Sequence, residues 1–177
     1  MKVVRFTVII AALSAPVATA FAQVTDHPSH VSLSSALVEQ VRSATEGFRD
    51  SRSVPQGYQS VLGCVSGPDE GAMGVHFVNG SLINGALEID QPQALIYEFK
   101  NGVGRLVGVE YIVPYELWHL THEKTDPPTI GDQLLNYYDS PNRFGLPPFY
   151  ELHVWAWRDN PNGAFVDWNP RVSCEGK

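Results

Sequence analysis

The chain contains 177 residues, of which 44% are hydrophobic and 18% are charged, with four Trp, seven Tyr and eight Phe. This composition suffices for a packed core and excludes a disordered, collagen-like or coiled-coil chain. Nineteen acidic against twelve basic residues give a net charge of -7, which argues against a nucleic-acid or anionic-membrane partner.

The first 22 residues have the pattern of a secretory signal peptide. Lys2 and Arg5 precede an apolar stretch, and small residues lead up to Ala22, after which we predict cleavage. Ser14 and Pro16 interrupt the apolar stretch, which is shorter than the roughly 20 residues of a membrane span. The sequence therefore predicts a secreted or periplasmic protein, whose net charge becomes -9 when the two basic residues leave with the leader.

Residues 23–32 are predicted to form a polar arm, and residues 33–177 a single globular domain. Near the start of this domain, apolar residues recur every three or four positions, the period of an amphipathic helix. They predict one helix from about Ser34 to Arg49, with the apolar face Leu33, Leu37, Val41, Ala44 and Phe48.

A short helical turn is expected next, before Gly63, and from Gly67 onward short apolar runs alternate with Gly, Pro and Asn. That texture is typical of antiparallel strands with tight turns, predicted over residues 73–79, 94–99, 105–113, 150–158 and 164–168. Asn101-Gly102 favours a tight hairpin between the second and third of these strands. The predicted fold class is α+β, with the N-terminal helix packed on a mostly antiparallel, barrel-like sheet. The Pro-rich stretch 114–148 is interpreted as a lid over a pocket.

The two cysteines, Cys64 and Cys174, predict a disulfide bond, because an even pair in an oxidising compartment usually pairs. Two free buried thiols are the alternative. With neither a Cys-x-x-Cys motif nor a neighbouring His, the pair is structural rather than catalytic.

Strand alternation puts Glu151, His153, Trp155 and Trp157 on one face of the strand that contains them. An acidic, imidazole-bearing and aromatic face suits the lining of a ligand pocket, so Glu151, Trp155 and Trp157 are predicted to bind a ligand. The alternative for the two Trp is an aromatic core with polar tips.

His76 and Glu110 are each isolated polar residues within apolar strands. If their strands and that of His153 share a curved sheet, two imidazoles and one carboxylate converge. This is a recurrent ligand set for a divalent transition metal. Two alternatives stay open: structural histidines, or a metal-free proton-transfer pair with Glu110 as general base and His153 as general acid.

Two His-x-x-His pairs, His27 with His30 and His119 with His122, also have metal-ligand spacing. Three-residue spacing alone is a weak signal, and we interpret both pairs as surface residues.

Several segments resemble a group of secreted bacterial proteins to which no activity is attached. They are Gly71-Ala72-Met73-Gly74-Val75-His76-Phe77-Val78-Asn79, Leu106-Val107-Gly108-Val109-Glu110-Tyr111, Glu151-Leu152-His153-Val154-Trp155-Ala156-Trp157 and Trp168-Asn169-Pro170. The resemblance covers nearly the whole mature chain. It implies a secreted single-domain protein and carries over no catalytic residue.

The sequence thus predicts a secreted protein that binds a small molecule in a sheet-lined pocket, with catalytic and metal-binding roles for His76, Glu110 and His153. The rival hypothesis is a non-catalytic envelope or interaction protein, with structural histidines and an aromatic binding face. Whether the protein is an enzyme is left open.

Overall fold

A computed structural model describes residues 33–176 of the chain. The predicted signal peptide 1–22, the polar arm 23–32 and the pair His27 and His30 lie outside the described residues. Within them, no helix is both long and apolar enough to cross a membrane.

The N-terminal helix α1 spans Leu33–Thr45, and a short 3-10 turn, Glu46–Phe48, follows it. The predicted end at Arg49 is therefore four residues too late. Thr45 is fully buried and its hydroxyl donates a hydrogen bond to the Val41 carbonyl at 2.7 Å, a local bond that competes with regular helix. Gly47 comes next, and glycine is a poor helix former.

The main sheet has six antiparallel strands in the order β1-β2-β3-β4-β8-β7 and curls into a half-barrel. The α+β prediction with a mostly antiparallel, barrel-like sheet is confirmed. The strands of the chain are β1 Gln59–Gly67, β2 Gly71–Val78, β3 Ala94–Lys100, β4 Val103–Pro114, β5 Thr129–Ile130, β6 Gln133–Leu134, β7 Asn136–Tyr138 and β8 Phe149–Val154.

The β3–β4 connection is the hairpin predicted from the sequence. Asn101 and Gly102 have φ angles of 53° and 78°, the positive values that a two-residue type I′ turn requires. Strand β1 occupies the place where a helical turn was expected. It is an edge strand, mostly exposed, and its register against β2 shifts twice.

The predicted strand 150–158 ends early, at Val154. Its backbone turns there: the Ala156 N–H donates to the Val154 carbonyl at 2.9 Å, and the N–H groups of Trp157 and Arg158 both donate to Val107. Residues 164–168 contain no strand. This segment runs beside Trp155, whose backbone N–H donates to the Ala164 carbonyl at 2.9 Å. These two backbone groups are therefore hydrogen-bonded without a regular strand pairing.

The two faces of the sheet carry different cores. One face packs against α1 through large apolar side chains, among them Leu95, Tyr97, Val109, Tyr111, Leu152 and Val154. The other face holds a smaller cluster, in which the C-terminal tail packs Val172 and Cys174 against the sheet. Cys64 in β1 and Cys174 form the predicted disulfide, with an S–S distance of 2.05 Å.

The stretch 114–148 contains a short helix α2, Tyr115–Trp118, and the small strands β5, β6 and β7. β5 and β6 pair with each other in a separate two-stranded sheet, and β7 extends the main sheet beyond β8. The segment therefore has more regular structure than its weak periodicity indicated.

Candidate functional site

His76, Glu110 and His153 lie on one face of the sheet, opposite α1. Glu110 in β4 and His153 in β8 are direct cross-strand partners, so their side chains leave the sheet side by side. His76 is in β2, one strand further away, with β3 in between. Two strand spacings separate backbones by about 9.6 Å, so only the curl of the sheet brings the His76 ring to the other two side chains.

The ligand-capable atoms of these three residues lie close together. His76 Nε2 is 3.4 Å from His153 Nε2 and 3.5 Å from Glu110 Oε2, and all three atoms lie within 4.8 Å of one another. Atoms bound about 2.1 Å from a tetrahedral zinc are about 3.4 Å apart. The two separations from His76 Nε2 therefore match those between ligand atoms of a tetrahedral metal site.

Burial sets the protonation of both imidazoles. His76 is 5% and His153 1% exposed. Loss of solvent lowers the pKa of His76 to about 3, with the nearby His153 contributing, and burial lowers the pKa of His153 to about 3. Both rings are therefore neutral at neutral pH and keep a lone pair for a metal.

Two buried carboxyl groups face each other beside the histidines. Burial, then the charge of Glu151 and a hydrogen bond to it, raise the pKa of Glu110 well above its ordinary value. Burial also raises the pKa of Glu151, while the hydrogen bond with Glu110 opposes that rise. In the absence of a cation, Glu110 is the group that holds the shared proton, and Glu151 accepts it.

A third carboxylate, Asp167, approaches His153 from the other side. His153 Nδ1 is 3.8 Å from Glu151 Oε1 and 3.8 Å from Asp167 Oδ1. Sequence reasoning missed Asp167, because it lies in the segment 164–168, predicted as a strand but irregular in the structure, and meets β8 only through the tertiary fold. Tyr138 in β7, also missed, donates a short hydrogen bond to Asp167 Oδ2.

A cavity of about 330 Å³ opens over the cluster. Among the described residues, its polar lining consists of His76, Glu110 and Glu151. The other nine are apolar: Val61, Leu62, Met73, Val78, Ile83, Ile112, Phe144, Leu146 and Phe149. Phe144 and Leu146 come from the stretch 114–148, which therefore supplies part of the cavity wall as the lid interpretation requires.

The two tryptophans predicted to bind a ligand do not line this cavity. Trp155 lies beside His153, with ring centroids 5.9 Å apart, and its indole N–H donates to the Val166 carbonyl. Trp157 lies on the α1 side, where its N–H donates to the Thr45 hydroxyl at 2.9 Å. The turn after Val154 breaks the strand alternation on which the shared face of the two indoles depended.

The pair His119 and His122 is half-buried and internally bonded. His119 Nε2 is 2.9 Å from the Tyr150 hydroxyl, and the His122 ring stacks on Trp118 at 3.6 Å. Within residues 33–176 neither joins a group of three metal-capable side chains. These contacts are structural.

The site is therefore a buried His/Glu/His cluster with two further carboxylates, placed under an apolar cavity. A scan against protein-family models found no match, and searches of curated proteins and of solved structures found no similar protein.

Proposed function

We propose that this protein binds a small apolar molecule in the cavity, above a divalent transition metal held by His76, Glu110 and His153. The observation that carries the proposal is the cluster itself: two neutral imidazoles and a carboxylate joined by distances of 3.4 and 3.5 Å, with His76 and Glu110 at the floor of a cavity. The spacing favours tetrahedral zinc over an octahedral ion, for which ligands 2.1 Å from the metal lie about 3.0 Å apart.

The chemistry of the donors supports a cation. Glu110 and Glu151 are 5% and 1% exposed, and among the described residues neither pairs with a Lys or Arg side chain. Burying carboxylates without compensation is costly, so they are expected to hold either protons or a metal. Neutral imidazoles beside them favour the metal.

The shape and lining of the cavity define the class of ligand. A cavity of about 330 Å³ lies at the small end of the roughly 300 to 1,000 Å³ range of ligand pockets, so the ligand is small. Nine apolar lining residues select a hydrocarbon or aromatic body, and the polar floor selects a head group with an oxygen or nitrogen lone pair.

With His76, Glu110 and His153 as its ligands, a zinc ion would supply Lewis-acid activation of a bound oxygen. If that ion alone is bound, Glu151 is the acid–base group of a reaction at this site. It lines the cavity next to Glu110, and burial raises its pKa, which strengthens it as a proton acceptor. The metal-free alternative fits less well, because burial leaves Glu110 protonated and His153 neutral, the reverse of a base and an acid.

We further propose that the mature protein is exported after cleavage behind Ala22. The signal-peptide pattern, the Cys64–Cys174 disulfide and the resemblance to secreted bacterial proteins support this placement. The rival interpretation, a partner-binding aromatic face, loses its main residues, because both indoles are turned inward.

Metal content tests the proposal. The purified mature protein, stripped with a chelator and equilibrated with zinc, is expected to retain zinc through gel filtration as measured by elemental analysis. His76→Ala should lose most of that zinc, and Glu110→Gln should weaken its binding. His122→Ala is the matched control, since it removes an imidazole outside the cluster.

Circular dichroism of each variant separates loss of the site from loss of the fold. More zinc retained by wild type and His122→Ala than by folded His76→Ala or Glu110→Gln supports the site. A wild-type protein that retains no zinc, or equal retention by all variants, contradicts it.

A further inference from the structure

We infer that His153 is shared between two metal sites, and that a second divalent cation binds to its Nδ1 atom together with Glu151 Oε1 and Asp167 Oδ1. The inference rests on the proposed function, which assigns the Nε2 atom of the same ring to the first ion. It extends that function from a mononuclear to a dinuclear centre.

The geometry of the second group has the size of a metal site. His153 Nδ1 is 3.8 Å from each of the two carboxylate oxygens, and all three atoms lie within 4.8 Å of one another. With two sides of 3.8 Å and a third of at most 4.8 Å, the point equidistant from the three atoms lies between about 1.9 and 2.5 Å from each, a range that includes zinc–oxygen bond lengths. The same distances are too long for direct hydrogen bonds.

All three atoms are buried and have no hydrogen-bond partner among residues 33–176. Such groups are rare in folded proteins and indicate an unseen water or ion. A proton on Nδ1 could serve one carboxylate at most, whereas a cation at the centre serves all three atoms. Within residues 33–176, no Lys or Arg forms an ion pair with Glu151 or Asp167.

The surroundings hold Asp167 in place. The Tyr138 hydroxyl donates to Oδ2, which leaves Oδ1 free to face His153, where it is buried. The Asp167 side chain as a whole is 18% exposed, against 2% for Glu151, so the second group lies nearer to solvent on the Asp167 side.

Charge and protons balance for two ions. An imidazole that binds metal through both nitrogens must release its remaining N–H proton to solvent, which gives a bridging imidazolate. Together with Glu110, Glu151 and Asp167, this ring contributes four negative charges, which two divalent cations neutralise. A neutral centre is what a buried site favours.

The test is the number of zinc ions bound per chain, measured by calorimetric titration and elemental analysis of the mature protein. Wild type is expected to bind two ions, and Asp167→Asn one, because the amide keeps the shape of the side chain but loses the charge. Asp126→Asn, which alters an exposed acid away from the cluster, is the control and should bind two.

Copper gives a second readout. Two copper(II) ions on one imidazolate couple magnetically, so the integrated electron paramagnetic resonance signal of wild type should fall below its copper content. In Asp167→Asn, which should bind a single copper ion, the integrated signal should equal the copper content.

The outcomes are distinguishable. Two ions in wild type and one in Asp167→Asn support the inference. A single ion in wild type overturns it, even if Asp167→Asn weakens that ion, because Asp167 then only orients the histidine ring. No bound zinc in wild type means that the proposed function fails as well.

Discussion

Replacing both Cys64 and Cys174 by serine is expected to lower the free energy of unfolding by about 4 to 5 kcal/mol. The disulfide joins residues 110 positions apart, so its loss frees a long loop in the unfolded chain. The chain-entropy relation gives about 4.7 kcal/mol for a loop of roughly 100 residues. Domains are commonly stable by about 5 to 15 kcal/mol, so this one bond supplies a large share.

The folded state should survive the substitution, because other contacts hold the C-terminal tail. Val172 is buried, the Ser173 N–H donates to Glu98 Oε1 at 3.1 Å, and Asn169 bridges to Ala72. The loss of stability therefore arises chiefly in the unfolded ensemble. The variant is expected to bind zinc with unchanged stoichiometry.

Urea unfolding followed by circular dichroism measures the effect. Oxidised wild type should unfold at a higher urea concentration than the double variant, and wild type reduced with dithiothreitol should behave like the variant. A difference below about 1 kcal/mol between oxidised and reduced wild type would refute the reasoning, since loop closure would then contribute little.

Three further outcomes are expected. The pKa values of His76 and His153 are lowered to about 3 from an unfolded value near 6.5. The metal-free protein should therefore lose stability as the pH falls below 6.5, by at most about 1.4 kcal/mol per pH unit for each histidine. The raised pKa of Glu110 has the opposite effect above pH 4.5, because it stabilises the folded protein as the pH falls. In urea unfolding, Glu110→Gln should therefore lose stability more steeply than wild type between pH 6 and 5. An equal or shallower dependence of stability on pH would contradict these protonation states. Glu98→Gln should cost about 1 to 3 kcal/mol in the same assay, because the buried carboxylate that accepts from Arg158 and from the Ser173 N–H loses its charge. A change under about 0.5 kcal/mol would show that water replaces the pair. Gly71→Ala should release the C-terminal tail from the sheet, because a Cβ there would lie 2.3 Å from the Asn169 backbone oxygen and φ is +89°. Faster proteolysis of the C terminus than in wild type would show this release. Unchanged cleavage would mean that the backbone shifts to accommodate the Cβ.

Much of the fold follows from local patterns. The helix was predicted from its apolar period, and β2, β3, β4 and β8 from short apolar runs between turn residues. The Asn101-Gly102 hairpin follows from the positive φ angles that these residues tolerate. Strand β1 was missed, because most of its residues are exposed and its pairing with β2 is interrupted, so no alternation marks it.

The site was predictable only in part. His76, Glu110 and His153 stand out as polar residues within apolar strands, and the cross-strand pairing of Glu110 with His153 agrees with that pattern. Asp167 was not singled out, because its segment 164–168, predicted as a strand, is irregular in the structure and reaches the site only by docking against β8. Trp157 follows the alternation in sequence, yet lies against α1 because the backbone turns after Val154.

The sequence by itself therefore determines which side chains share a face of each strand, because successive residues of a strand point to opposite sides. It also determines which cysteines form the disulfide, because the chain has only two. Only the tertiary structure decides the distances: the curl of the sheet carries His76 across an intervening strand to within 3.5 Å of Glu110, and the folding of the 160s segment onto β8 adds Asp167. Curvature and loop docking sum many weak contacts over the whole chain, so no local pattern encodes them.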